Sequence, residues 1–223
     1  MNISFFFRTF SLSLFLLTCS PATAWELIID QDTLRVERRP YADSALMEIR
    51  GTTWLRASLG AIMALLRDDS YNRYWVYRSG GARVLRENGD TQAWVYGIVD
   101  APWPIADRDT VVRFDYRQSP VSGVITIDIR NFPDFVPQEA AYVRVPDFGG
   151  FWQLRPLEDG KVEVIYQVHG DPGGWIPIWL ANRAALVSVE RTLQNMPGAV
   201  LRYADATAEY IAEPGAATQS TEP

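Results

Sequence analysis

The sequence predicts an α+β fold in which one curved antiparallel sheet packs against helical segments. Three observations carry that prediction. Alternating runs such as Val112, Phe114 and Tyr116 against Arg113 and Asp115 mark antiparallel strands with one wet face. The elements follow in the order strand pair, helical segment, about six strands, long helix, with no internal repeat. Near the C-terminal end, Trp175, Trp179, Asn182, Leu186, Val189, Leu193 and Met196 recur at steps of four and three, which puts all seven on one helix face. A strongly twisted sheet of that many strands curls. A helix laid across its concave side leaves either a packed core or a cavity, and pattern alone leaves both open.

The first 24 residues read as a leader outside the fold. Arg8 supplies a positive n-region, residues 10–17 a short apolar stretch, and Ala22-Thr23-Ala24 a cleavage site. Cleavage after Ala24 implies a periplasmic or secreted protein. Leu16-Leu17-Thr18-Cys19 is a rival lipobox with Thr where a small residue is usual, so acylation at Cys19 is the alternative. Residues 25–212 are the expected folded domain, and residues 213–223 a disordered tail.

Within the domain, residues 25–30 form a short apolar start, and residues 33–39 and 45–52 read as paired strands. From Trp54 to Leu66 the apolar period becomes helical, and Asp68-Asp69-Ser70 ends that helix and caps a short one over residues 71–75. Residues 82–87 and 91–99 flank Asn88-Gly89-Asp90, a hairpin turn. Residues 109–118 and 121–130 form the next hairpin. Residues 131–141 are a proline-containing loop whose Phe132 to Val136 are a candidate gate or membrane-touching tip, or equally a loop packed on its own prolines. Residues 142–145, 150–156 and 161–170 complete the sheet. Asp171-Pro172-Gly173-Gly174 then breaks the chain, and a helix spans residues 176–195 with Pro177 in its first turn. Pro197-Gly198 stops or kinks it, and Val200, Tyr203, Thr207 and Tyr210 suggest a further short helix.

Composition narrows the function. The net charge of −6 becomes one unit more negative once Arg8 leaves, which argues against nucleic acid and against docking on anionic lipid through a basic patch. The single cysteine leaves with the leader, so no disulfide is expected. Eight tryptophans and ten tyrosines are more large rings than core filling needs, and suggest a wide cavity or a recognition surface.

Several segments resemble a known family. Residues 101–109, Ala-Pro-Trp-Pro-Ile-Ala-Asp-Arg-Asp, resemble the stretch before the central hairpin of START (StAR-related lipid-transfer) domains. Residues 167–182, with His169-Gly170-Asp171-Pro172-Gly173-Gly174-Trp175 at their centre, resemble the last strand and C-terminal helix of bacterial members. The resemblance runs from Trp25 to Asn195. It implies a helix-grip fold, a curved antiparallel sheet wrapped around a long C-terminal helix, with a tunnel that binds or transfers a lipid, sterol or other hydrophobic molecule. On that basis Trp94, Tyr96, Val112, Phe114, Tyr116, Ile127, Trp152, Leu154 and Tyr166 from the sheet are expected to line the tunnel. Trp179, Asn182, Leu186, Val189 and Leu193 are expected to do so from the helix, with Asn182 bound either to a ligand's polar end or to a neighbouring loop. The arginine that some relatives place in the tunnel falls here at Phe114, with Arg113 one position away and on the opposite face by parity, so ligand identity stays open.

The implied partners are a hydrophobic small molecule and, transiently, a membrane. No metal, cofactor or catalytic residue is assigned, because G-x-S-x-G, C-x-x-C and P-loop patterns are missing and His169 is the one histidine. His169 falls on an outward strand position and reads as structural. Arg108-Asp109 reads as an ion pair or turn anchor, with a headgroup contact as the alternative. Related folds include cyclases and aromatases, so an enzyme with Tyr96, Tyr116 or Tyr166 as the acid is the alternative function.

Overall fold

The computed structural model describes residues 24–208 and 211–213. The expected leader therefore lies outside the described residues apart from Ala24, and so do Tyr210 and all of the expected tail except Glu213.

The strands are β1 (Glu26–Gln31), β2 (Leu34–Tyr41), β3 (Ser44–Leu55), β4 (Ser79–Asn88), β5 (Gln92–Val99), β6 (Arg108–Gln118), β7 (Ile125–Asn131), β8 (Val143–Arg144), β9 (Asp147–Pro156) and β10 (Val162–Asp171). They form one sheet in the order β1-β2-β3-β10-β9-β7-β6-β5-β4, antiparallel throughout except that β8 pairs parallel with the start of β6. The helices are α1 (Leu59–Arg67), α2 (Asn72–Trp75) and α3 (Ile178–Val200). This is the curved sheet and long C-terminal helix of the helix-grip fold.

Cross-strand register decides which side chains share a face. Phe114 pairs with Ile129, Tyr116 with Ile127, Ile127 with Trp152, Trp152 with Tyr166, and Tyr166 with Gly51. That row is the concave face. Val36, Ile49, Leu154, Val164, Val189, Leu193 and Met196 are fully or almost fully buried in the core beneath it. The helix α3 packs on β3 and β2, and its approach needs a bare backbone at Gly51. A Cβ there would lie 2.3 Å from Leu193 Cδ1 and 2.6 Å from Val189 Cγ1.

Four expectations shift. Strand β3 runs to Leu55, and α1 begins only at Leu59, because the Ser58 side chain accepts from the Ala61 amide and caps it there. The apolar start is itself a strand, β1, paired along β2. The β6–β7 connection takes residues 119–124, with Gly123 at φ +67°, so Val121 stands at an exposed tip instead of in a strand. Finally, α3 continues through Pro197 to Val200. The proline removes one backbone donor near the helix end, while Met196, Ala199 and Val200 around it are buried. Directly after α3, Leu201–Tyr203 form a 3-10 turn, and among the described residues up to 208 no further helix follows.

Candidate functional site

The concave face has two parts. Under α3, side chains interlock. Farther along the sheet, β5 presents the small residues Ala93, Val95 and Gly97 inward, with Ala93 buried and Val95 and Gly97 part-exposed. Val95, Phe114, Tyr116 and Tyr166 border the core without being fully covered, and so does Leu186 from α3. The inward positions of β6 from Val112 to Tyr116, of β7 from Ile125 to Ile129, of β9 at Trp152 and Leu154, and of β10 from Val162 to Val168 carry no Asp, Glu, Lys or Arg. The wall is therefore apolar and aromatic. Its centre is a flat stack of Trp152 on Tyr166, ring centroids 3.9 Å apart at 9°, with Trp75 of α2 6.3 Å from Trp152. Burial pushes the Tyr166 phenol pKa up, so it stays neutral. Beside the β6–β7 connection, and away from α3, a cleft of about 800 Å³ is lined by Met63, Asp90, Thr91, Tyr116, residues 117–123, Ile125 and the Ile211 to Glu213 segment.

The structure brings Val112, Phe114, Tyr116, Ile127, Trp152, Leu154 and Tyr166 onto this one face, with Leu186, Val189 and Leu193 on the helix over it. Three other expected residues lie elsewhere. Trp94 pairs with Arg113, and Tyr96 with Val111, so both point to the convex side. There Trp94 stacks on Phe135 at 5.7 Å. The Tyr96 hydroxyl donates to Asp109 at 3.1 Å, and burial together with that carboxylate pushes its pKa up. Aromatic size had favoured them, but the register selects Val95, which lies between them and was missed. The turn at Asn88-Gly89-Asp90 carried that parity. Trp179 is exposed, outside the buried arc of α3 made by Ala181, Val189, Thr192, Leu193 and Met196. Trp175 precedes the helix altogether. Asn182 accepts from the Met47 amide at 2.8 Å and donates to the Ala45 carbonyl at 3.3 Å, so it ties α3 to β3.

Other singled-out residues take structural roles. Arg108 and Asp109 do not pair with each other. Asp109 is fully buried and held by Arg144 through two contacts, at 3.0 and 2.9 Å, and the hydrogen bond to Asp109 raises the Arg144 pKa. Arg144 also donates to the carbonyls of Pro133 and Val136, which pins the proline-containing loop after β7. Arg108 donates to the carbonyls of Ala106 and Gly173. Arg113 lies outward, paired with Asp115 at 2.9 Å. His169 lies outward too, stacked on Tyr41 at 3.8 Å with Nε2 3.3 Å from Ser44 Oγ. Among the described residues no three His, Cys, Asp or Glu side chains are grouped to hold a metal, and no helix is long and apolar enough to cross a membrane.

A sheet that grips one helix over an apolar wall defines a class of domains built to enclose a ligand. Comparisons place the chain within that class. No family model matches it. A solved STAR-related lipid transfer protein from Xanthomonas axonopodis is 34% identical, with a TM-score of 0.74, covering 79% of this chain and 98% of that one. An uncharacterized protein of Pseudomonas aeruginosa is 32% identical over 178 residues, 80% of this chain and 87% of its own. The phosphatidylcholine transfer protein of Rattus norvegicus is 26% identical over 186 residues, covering 80% and 85%. This chain belongs to the STAR-related lipid transfer (START) family.

Proposed function

We propose that this protein binds a lipid, sterol or similar hydrophobic molecule between α3 and the concave face, and carries it between membranes. The observation that supports this most is the uncovered apolar wall where the inward residues of β5 are small and Val95, Phe114, Tyr116 and Tyr166 stay partly open. A lipid leaving a bilayer exposes its chains at a cost of about 0.8 kcal/mol per CH₂. An apolar wall without ionised groups offsets that cost, and no reactive group is needed. The leader-like first 24 residues support export to a periplasm or the outside. The Gly173-Gly174 pair, with φ of +68° and +67°, gives α3 a hinge at which to open. No catalytic residue is proposed: Tyr96 points to the convex side, and Tyr116 and Tyr166 read as apolar wall.

Leu186 is the residue through which to test this reading. It is half-buried and borders the open wall, so Leu186→Trp fills space without cutting into the core. Uptake of a fluorescent lipid by the variant is expected to fall by about tenfold or more, with the thermal midpoint within a few degrees of wild type. Unchanged uptake in a folded Leu186→Trp protein contradicts a site at this wall.

A further inference from the structure

Trp75 of α2 places an unpaired polar atom in the core beneath the concave face. The residue is 3% exposed, and its indole Nε1 is buried with no hydrogen-bond partner among the described residues. A buried N–H without an acceptor has given up its hydration for nothing in return. The backbone around it is latched to α3. The Trp75 carbonyl accepts from Asn195 Nδ2 at 2.9 Å, and the Tyr77 amide donates to Thr192 Oγ1 at 3.2 Å. The ring lies against Trp152, which in turn stacks flat on Tyr166. The Tyr166 hydroxyl is a second such group. No described residue hydrogen-bonds it, and its side chain borders the open part of the wall. The other orphaned indole, that of Trp94, faces the convex side and has no part in this wall.

We infer that the Trp75 indole N–H and the Tyr166 hydroxyl bind the polar end of the cargo, and that the cargo is a neutral lipid with a carbonyl or hydroxyl oxygen. The inference rests on the cargo reading above and narrows it. A phosphate or carboxylate brings a charge to a wall whose inward positions on β6, β7, β9 and β10 hold no arginine or lysine. A buried charge without a counter-ion is strongly disfavoured. A plain hydrocarbon fills the space and leaves the indole N–H as orphaned as before. One neutral oxygen answers both conditions. A carbonyl has two lone pairs for the two donors, and a hydroxyl accepts from Trp75 while donating to Tyr166. A site built this way discriminates well, because the wrong ligand leaves the protein's own donor unpaired.

The test uses the full-length protein freed of lipid, with a long-chain ketone, the alkane of equal length, and a phosphatidylcholine with the same count of chain carbons. The ketone is expected to bind at least about tenfold tighter than the alkane. It should also move the indole N–H resonance that is missing from the NMR spectrum of Trp75→Phe. Trp75→Phe and Tyr166→Phe keep an aromatic ring at each place. Both should bind the alkane as wild type does and lose most of the preference for the ketone. Tyr166→Phe removes a single oxygen and carries the test alone if Trp75→Phe does not fold. Failure to bind any of the three lipids overturns the cargo reading, and the inference with it. Phosphatidylcholine bound as tightly as the ketone overturns the inference and leaves the cargo reading standing. So does equal affinity for ketone and alkane, which would assign the two donors to a retained water, and so does a preference that survives in the folded variants.

Discussion

His169 shows how one outward side chain sets a pH limit. It is packed between Tyr41 and Ser44, and burial holds its pKa below the ordinary 6.5, although Asp147, Glu48 and Asp171 pull it upward. The unfolded chain therefore takes up a proton before the native one does. The stability contributed by neutral His169 is fully present above pH 6.5 and is lost as the pH falls from there through its lowered folded value. The thermal midpoint is expected to decline over that window, and His169→Gln should flatten the decline. An equally steep decline in the glutamine variant would assign the pH dependence to another group. The outward position of His169 was legible in the alternation of β10. The identities of Tyr41 and Ser44 as its neighbours were not, since they come from a hairpin more than a hundred residues away.

At the scale of elements, α3 separates two kinds of buried residue that a helical repeat cannot tell apart. Val189 and Leu193 close on Gly51 with no room between, whereas Leu186 borders the open wall. Val189→Trp is therefore expected to destabilise by about 1–3 kcal/mol through overpacking, seen in chemical denaturation, while Leu186→Trp spares stability and blocks uptake. Equal stability losses at the two positions would remove the distinction between core and cavity. The stripe of large residues predicted the helix but put its buried face slightly off. Val189 and Leu193 make the close approach to β3, and the buried arc also takes in Ala181 and Thr192, small side chains that carry little weight in an apolar pattern. Strand parity was legible on β6, β7, β9 and β10, where clean alternation names the inward face. It failed on β5, where Ala93, Val95 and Gly97 face inward and the large rings of Trp94 and Tyr96 face outward. Small residues leave the weakest signal in an apolar pattern.

The whole molecule is tied together from its C-terminal end. Glu213 accepts from the amides of Leu59 and Gly60 at 3.1 and 2.6 Å, so its carboxylate caps the first turn of α1. Gln118 clamps Ala212 beside it, donating to its carbonyl at 2.8 Å and accepting from its amide at 2.9 Å. Glu213 was expected to begin a disordered tail, and a lone acidic residue in a polar run gives no sign of a partner some 150 residues earlier. Glu213→Ala should lower the unfolding free energy by about 1 kcal/mol, and an unchanged denaturation midpoint would show that the cap is not formed. The antiparallel strands and the long helix follow from alternation, turns and one apolar stripe, the grip of the sheet on that helix was implied by the family resemblance, and the order of the strands in the sheet was not read. How closely the helix and sheet approach depends on side-chain volumes set against each other across the fold, as at Gly51.

The central claim is that the space between α3 and the sheet holds an apolar molecule. Native mass spectrometry of the protein, purified without detergent, tests it most directly. The account predicts a non-covalent adduct of lipid mass, released on denaturation and recovered in organic extract, and weakened in Leu186→Trp. A spectrum showing only the bare polypeptide, from a protein that also takes up no added lipid, would contradict it.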